Sequence, residues 1–483
     1  MSGDDELELG LAADSNHTFK SPFYFFPPLV TQRRAFCLSF LKRERIQTVL
    51  ELGCGEGTLL GLLTNPASCL GEFPSQAYMD RLRSEQANTE DAGKKERLGA
   101  IEQVVRETPA LEDYQRDLHL KQLVALDLCP ESVRRVHESL LDIRKVGSGS
   151  ARWEPLRVEL WAGDLAVPNA RFVGVECVVM SEVVEHLFPA QLARFVPLVF
   201  GVYQPEYILI TTPNYNFNAH MDQFASPRAS ARHRFLDPSR QTDRFFRDPD
   251  HKFEWTQDEF AAWCSAVAAQ YPAYDYEISG CGSYVNYFLQ SLSTISPLDL
   301  QALPKPKLPV PDSPKSFFAT QCVIFKRREH ANGGEKEEVP TTNGETYKMN
   351  PHVVVDGAGE EEEEEDAGKH ELIAVEEYGV DESAGDGTAP PATAAGAAAE
   401  ILKQVETYMA ENGEGRVRLR DLWLCAPEIP RLCAGQPVHL LLALADRPGW
   451  LVSLHNDVAR KPNSSSLTGM DAIWVAYTGV PSA

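Results

Sequence analysis

The segment from Ser181 to Pro189 reads SEVVEHLFP. If its start is helical, Glu182, Glu185 and His186 fall at i, i+3 and i+4 and share one face. Two ionised carboxylates that close repel each other unless a cation lies between them. A mixed oxygen and nitrogen donor set suits Mg, Mn, Co or Fe better than a soft metal. A second imidazole is available in DHKFEWT, Asp250 to Thr256. There His251 stands just before a helix that Thr256 and Glu259 would open with a capping box. Glu182, Glu185, His186 and His251 are therefore the candidate metal ligands and the candidate catalytic group. A divalent ion held by them would lower the pKa of a bound hydroxyl and orient it. Each motif alone also fits a bland reading, a solvated polar face for the first and a loop histidine for the second.

A second constellation could hold a cofactor. ELGCGEG, Glu51 to Gly57, follows an apolar run rich in strand formers and precedes TLLGLL. Glycines at such a turn let the backbone bend sharply and come close to a ligand. The next strand ends in Asp127, where a carboxylate can accept both hydroxyls of a ribose. The pattern resembles the S-adenosylmethionine site of class I methyltransferases. That resemblance implies Glu51, Gly53, Gly55, Gly57 and Asp127 as cofactor residues and places Asp164 of AGDL near the adenine. A nicotinamide or flavin site is the rival.

Positioning these groups takes a sheet. Short apolar runs at Thr48–Gly53, Gln122–Leu128, Leu156–Leu160, Val175–Met180 and Tyr207–Thr212 alternate with helical stretches. Continuous apolar strands of this kind predict a mostly parallel sheet buried on both faces. A closing pair of strands is expected at Tyr274–Ser279 and Ala319–Lys326. The fold class is thus α/β, Rossmann-like, in a catalytic domain over residues 19–330. Residues 1–18 read as a disordered tail. Residues 71–120 read as a polar insertion with one or two exposed helices. Residues 331–400, with 19 acidic and 3 basic side chains, read as an acidic, disordered Ala/Gly-rich linker. Residues 401–483 read as a small α+β domain of winged-helix type. Removing residues 331–483 is expected to leave much of the activity.

Composition bounds the rest. The 483 residues are 43% hydrophobic and carry a net charge of -24, with 70 acidic against 46 basic side chains. Most of the acidic excess sits in the linker, so the overall charge does not exclude a local nucleic-acid site. Ten cysteines occur without a CxxC pair, which suits a reducing compartment and argues against a Cys-based zinc site. Met1 to Gly10 is acidic and lacks the order of a secretory signal. A cytoplasmic location, or a nuclear one, is the expectation, with no membrane association.

Four motifs together resemble one family. FYFFPPLVTQRR (Phe23 to Arg34), the ExxEH of Glu182–His186, TTPNYNFN (Thr211 to Asn218) and DHKFEWT occur in the order found in small RNA 3'-terminal 2'-O-methyltransferases. The resemblance covers about residues 22–328. It implies that Glu182, Glu185, His186 and His251 bind one divalent ion, Mg2+ with Mn2+ or Co2+ as substitutes. It also implies that this ion grips the 2' and 3' hydroxyls of a terminal ribose. The implied reaction is methyl transfer from S-adenosylmethionine to the 2'-oxygen of a small silencing RNA. The implied substrate is a single strand, with an Argonaute/Piwi-type protein as partner and the enzyme a monomer. Arg228, Arg232, Arg234, Arg240, Arg244 and Arg247 form a local basic excess that would track phosphates, and Tyr215 would stack on a base. Two other readings stay open. One is a metal-dependent O-methyltransferase of catechol-like diols, and the other is a non-catalytic RNA-binding protein on a methyltransferase fold.

Overall fold

The computed structural model describes residues 25, 27–111, 116–146, 152–218, 235–282, 318–328, 370–379, 395–454 and 467–478. The strands are β1 (Thr48–Leu52), β2 (Gln122–Asp127), β3 (Leu156–Ala162), β4 (Cys177–Ser181), β5 (Tyr207–Pro213), β6 (Phe235–Leu236), β7 (Phe245–Phe246), β8 (Tyr274–Cys281), β9 (Thr320–Arg327), β10 (Glu371–Tyr378), β11 (Arg416–Arg418), β12 (Trp450–Leu454) and β13 (Ile473–Tyr477).

Eight of them form one sheet in the order β10-β3-β2-β1-β4-β5-β9-β8. Strands β1 to β5 are mutually parallel. Strands β9, β8 and β10 are antiparallel to their neighbours. Successive side chains feed opposite faces. Leu50, Leu52, Val124, Val178, Ile208 and Ile210 enter one apolar core, and Val49, Leu123, Cys177, Val179 and Leu209 enter the other. That double burial explains the unbroken apolar runs. The order reverses between β1 and β4, and this is the crevice where open α/β sheets place ligands. The glycine loop follows β1 and Glu182 follows β4. The fold is that of a Rossmann-like class I methyltransferase, with a smaller α+β region at its C-terminal end.

Helices run over Leu29–Arg43 and Pro130–Val146. The helix Gln257–Gln270 opens with the capping box of Thr256 and Glu259. Three other features differ from the sequence reading. First, Val184–His186 is a single 3-10 turn, not the start of an α-helix. Glu182 just before it takes a left-handed backbone conformation, with φ of 57°. That conformation is costly for a residue with a Cβ, and it takes Glu182 off the helical path that would align it with Glu185.

Second, Glu371–Tyr378 lies within the segment read as a linker, yet it is a strand on the edge of the main sheet. It pairs antiparallel with β3. Polar contacts fix it there: ion pairs from Arg134 to Glu371 (3.3 Å) and from Arg157 to Glu377, and a hydrogen bond between His137 and Glu376 (2.7 Å).

Third, the insertion is not a free polar excursion. Its helices Gln76–Asn88 and Ala92–Glu107 turn Tyr78, Leu82, Leu98, Ile101 and Val105 into a core shared with Ile401, Val405, Trp423, Leu441 and Leu444 of the C-terminal region. Polar contacts reinforce the joint. Arg97 donates to the Ala445 carbonyl (2.7 Å), Trp423 donates to the Ser68 carbonyl (2.7 Å), and Lys94 pairs with Asp446 (2.6 Å). The C-terminal region has helices Ala395–Glu411, Leu419–Cys425, Glu428–Leu432 and Pro437–Asp446, with a three-stranded sheet β11-β13-β12. The apolar run His439–Ala445 is helical. Among the described residues, no helix is long and apolar enough to cross a membrane.

Candidate metal and cofactor site

The glycine loop needs its glycines. Gly53 and Gly57 have φ of 74° and 71°, a region that side chains disfavour. A Cβ on Gly53 would come within 2.6 Å of the Val183 side chain. The cofactor loop therefore rests directly on the segment that carries the ExxEH residues.

Asp127 sits where a strand-end acid should. It accepts from the Gly55 N–H (2.8 Å) and the Cys129 N–H (3.0 Å). Glu51 is buried beneath the loop, and its Oε2 has no hydrogen-bond partner among the described residues. Burial, and then the nearby Asp127 charge, push its carboxyl up to about 8. Asp164 caps its own turn by accepting from the Ala166 N–H (2.9 Å). The carbonyl of Asp164 meets Nε2 of His370 at 2.9 Å. His370, just before β10, also stacks on Phe172 with ring centroids 5.5 Å apart. The loop beside the expected adenine position is thus braced from the segment that sequence composition marked as linker.

At the ends of β4 and β5, Thr211 donates to Glu182 Oε1 (3.0 Å) and Thr212 donates to Glu185 Oε2 (2.9 Å). Arg33, from the helix that follows FYFFPPL, lies 3.7 Å from Glu182 Oε2. Glu185, His186 and His251 come together, with one ligand atom from each within 4.8 Å of the others. Glu182 is not part of that group; Thr211 and Arg33 hold it beside them. The backbone ties the two contributing segments, since the Lys252 N–H donates to the Glu185 carbonyl (2.7 Å). The rings of His186 and His251 have centroids 4.8 Å apart. His186 Nδ1 pairs with Asp250 at 3.2 Å.

His251 is fully buried, and its Nδ1 is 2.8 Å from Glu254 Oε1. A carboxylate at Nδ1 assigns the proton there and leaves the lone pair on Nε2. That Nε2 is buried and has no hydrogen-bond partner among the described residues. An imidazole prepared in this way, beside a carboxylate and a second imidazole, is the donor set a divalent ion needs, and the residues fit one. Glu254 itself also accepts from the Arg247 N–H and the Asn218 amide, both at 2.6 Å. Burial alone would raise its carboxyl, but the His251 hydrogen bond and the Arg247 guanidinium outweigh it and hold the group below the usual carboxylate range. Sequence reasoning missed Glu254, Thr211, Thr212 and Arg33. An acid three residues after a candidate histidine ligand was the available signal for Glu254.

The arginine-rich loop looks different in the fold. Arg244 makes a two-pronged pair with Glu259 (2.8 Å each) and lies over the Tyr215 ring at 4.7 Å. Arg247 donates to Asn218 Oδ1 (2.6 Å) and to the Asn214 and Ala319 carbonyls (2.7 and 2.9 Å). Both are engaged in holding the loop, and Tyr215 is engaged with Arg244. Arg240 is exposed. Arg228, Arg232 and Arg234 lie outside the described residues.

Sheet order, glycine loop and strand-end acid define a class I methyltransferase fold, and the Glu/His/His cluster at its ligand crevice adds a metal-binding type of site. Sequence comparison narrows the class. The chain is 27% identical over 259 residues to the small RNA 2'-O-methyltransferase of Schizosaccharomyces pombe, covering 53% of each chain. It is 30% identical over 133 residues to that of Drosophila melanogaster, covering 28% of this chain and 30% of the relative. It is 35% identical over 128 residues to that of Rattus norvegicus, covering 26% and 27%. No family model matches the chain. The chain is thus related to the small RNA 2'-O-methyltransferases at the level of the family, and it spans about half or less of these curated relatives' length.

Proposed function

We propose that this protein transfers a methyl group from S-adenosylmethionine to the 2'-hydroxyl of the 3'-terminal ribose of small RNAs. The observation that carries the reading is the His251 imidazole, buried, oriented by Glu254 and presenting a bare Nε2 beside Glu185 and His186. Glu185, His186 and His251 would hold the ion. Glu182 is the proposed fourth donor, its carboxylate anchored by Thr211 next to the Thr212 that anchors Glu185. When bound, a divalent ion acidifies and orients a ribose hydroxyl, and the sulfonium donor supplies the methyl group.

The protein's own part is positional. Glu254 fixes the His251 tautomer. Lys252 and Glu185 join the two ligand segments through the backbone. Val183, packed on Gly53, sets the spacing between cofactor loop and acceptor site. A cis-diol exists only on a terminal nucleotide, so a 3'-phosphate or an existing 2'-O-methyl group should make a poor substrate.

The test is label transfer from S-adenosylmethionine to a synthetic single-stranded 20-to-30-mer RNA, with and without EDTA, beside a duplex and a catechol. The expected product is RNA that resists periodate, formed only with metal. Labelled catechol beside unlabelled RNA would overturn the substrate, and full transfer in metal-free buffer would overturn the metal role.

A further inference from the structure

Next to the metal ligands lies a cleft of about 320 Å³ lined by Phe188, Phe246, Phe253 and Trp255, with Arg244 and Lys252 at its sides. Phe188 comes two residues after His186, and Phe253 two residues after His251. Glu254, whose carboxylate holds His251, forms part of the same wall. Ligand site and cleft therefore share two segments, and residues 237–246 supply most of the remaining lining of the cleft.

The rings in the cleft are not all consumed by the core. Phe188 is 57% exposed. Phe253 and Trp255 are half-buried, with ring centroids 4.5 Å apart. The Lys252 ammonium stands 5.1 Å above the Phe188 ring. With the half-buried Phe253 and Trp255 lining the same cleft, the exposed Phe188 ring makes an apolar surface open to a ligand.

Charge decides what that is. Arg244 is matched by Glu259, Lys252 by Asp250 (2.7 Å) and Glu254 by Arg247 (3.9 Å). Asp237 is taken up by the hydroxyls of Ser239 (2.6 Å) and Thr242 (2.7 Å). The charged groups of the cleft are thus answered within the fold. A phosphate would find no uncommitted cation among them. An uncharged aromatic group would find rings to stack on and the exposed Gln241 amide to meet its edge. Unpaired nucleobases are recognised in this way, by aromatic faces that tolerate any base.

We propose that the cleft receives a nucleobase from the RNA 3' end, that of the terminal nucleotide or of the one before it, stacked on Phe188 and Phe253. This rests on the RNA reading above and extends it from the ribose to its base.

The experiment uses the full chain and three single-stranded RNAs: an intact strand, one abasic at the terminal position and one abasic at the penultimate position. All three keep the terminal cis-diol. Affinity is read by fluorescence anisotropy with S-adenosylhomocysteine present, and 2-aminopurine at each position reports stacking. The unaltered protein should bind one abasic strand roughly tenfold more weakly than the intact strand, as loss of one stacked base implies. Phe188→Ala should bind intact and abasic strands alike, and Phe188→Trp should restore the difference. Because Phe188 is largely in solvent, its truncation should leave the melting temperature in place. If RNA binds but the intact-to-abasic ratio survives Phe188→Ala at both positions, the cleft assignment falls and the RNA reading stands. If no RNA binds or is methylated, both fall.

Discussion

The Nδ1 of His251 meets the Glu254 carboxylate across 2.8 Å, with both side chains shut away from solvent. An imidazole so held cannot turn, and its remaining nitrogen has one job left. Glu254→Gln keeps the shape and removes the charge that makes the ring a better donor. Metal affinity should fall by roughly ten- to a hundredfold. Mn2+ binding followed by electron paramagnetic resonance checks this, and an unchanged affinity would leave Glu254 a purely structural acid.

His251→Ala and Glu182→Ala separate metal from cofactor. Neither residue touches the glycine loop's glycines or Asp127 in the hydrogen bonds seen here. Both variants should lose nearly all methyl transfer and keep S-adenosylhomocysteine affinity within about twofold. Calorimetry decides, and loss of cofactor binding in both would dissolve the division of labour.

The C-terminal region should prove inseparable from the insertion. Leu441 is fully buried in the shared core. Leu441→Ala should cost about 2–5 kcal/mol, the range for opening a cavity in a packed interior. A chain ending at residue 330 would lose β10 and expose Tyr78, Leu82 and Leu98. This packing argues against the expectation that a chain without residues 331–483 keeps much of the activity. Urea unfolding of the full-length variant and the solubility of the short chain are the measurements. A soluble, active 1–330 chain would contradict the joint core.

Glu51 should leave a signature in stability against pH. Its folded carboxyl titrates near 8 rather than near 4.5. The folded state thus keeps a proton that the unfolded chain has already released. That contribution is complete below about 4.5, shrinks as pH rises, and is gone above about 8. Glu51→Gln should flatten the decline across this window in cofactor-free protein. Chemical denaturation at a series of pH values measures it, and an unaltered slope would mean the acid is ionised throughout.

Much of the framework was legible in the residues. Strands β1 to β5 announce themselves as apolar runs because both faces are buried, and the Thr256–Glu259 box is a local signal with a local cause. The Glu182–Glu185 spacing misled because helical periodicity says nothing of a left-handed residue at position 182. Strand β10 was hidden for another reason. Its acids read as solvating charge, and their partners Arg134, His137 and Arg157 are far away in sequence. The insertion helices likewise present a mostly polar composition, and the few apolar residues on one face gain meaning only with the C-terminal helices against them.

Strand β9 ends at Arg327 near one side of the sheet, and β10 begins at Glu371 on the opposite side. A protease that severed the intervening stretch would therefore not set the two halves adrift. The nicked molecule should migrate as one particle under native conditions and as two bands once denatured, with the ligand crevice still whole.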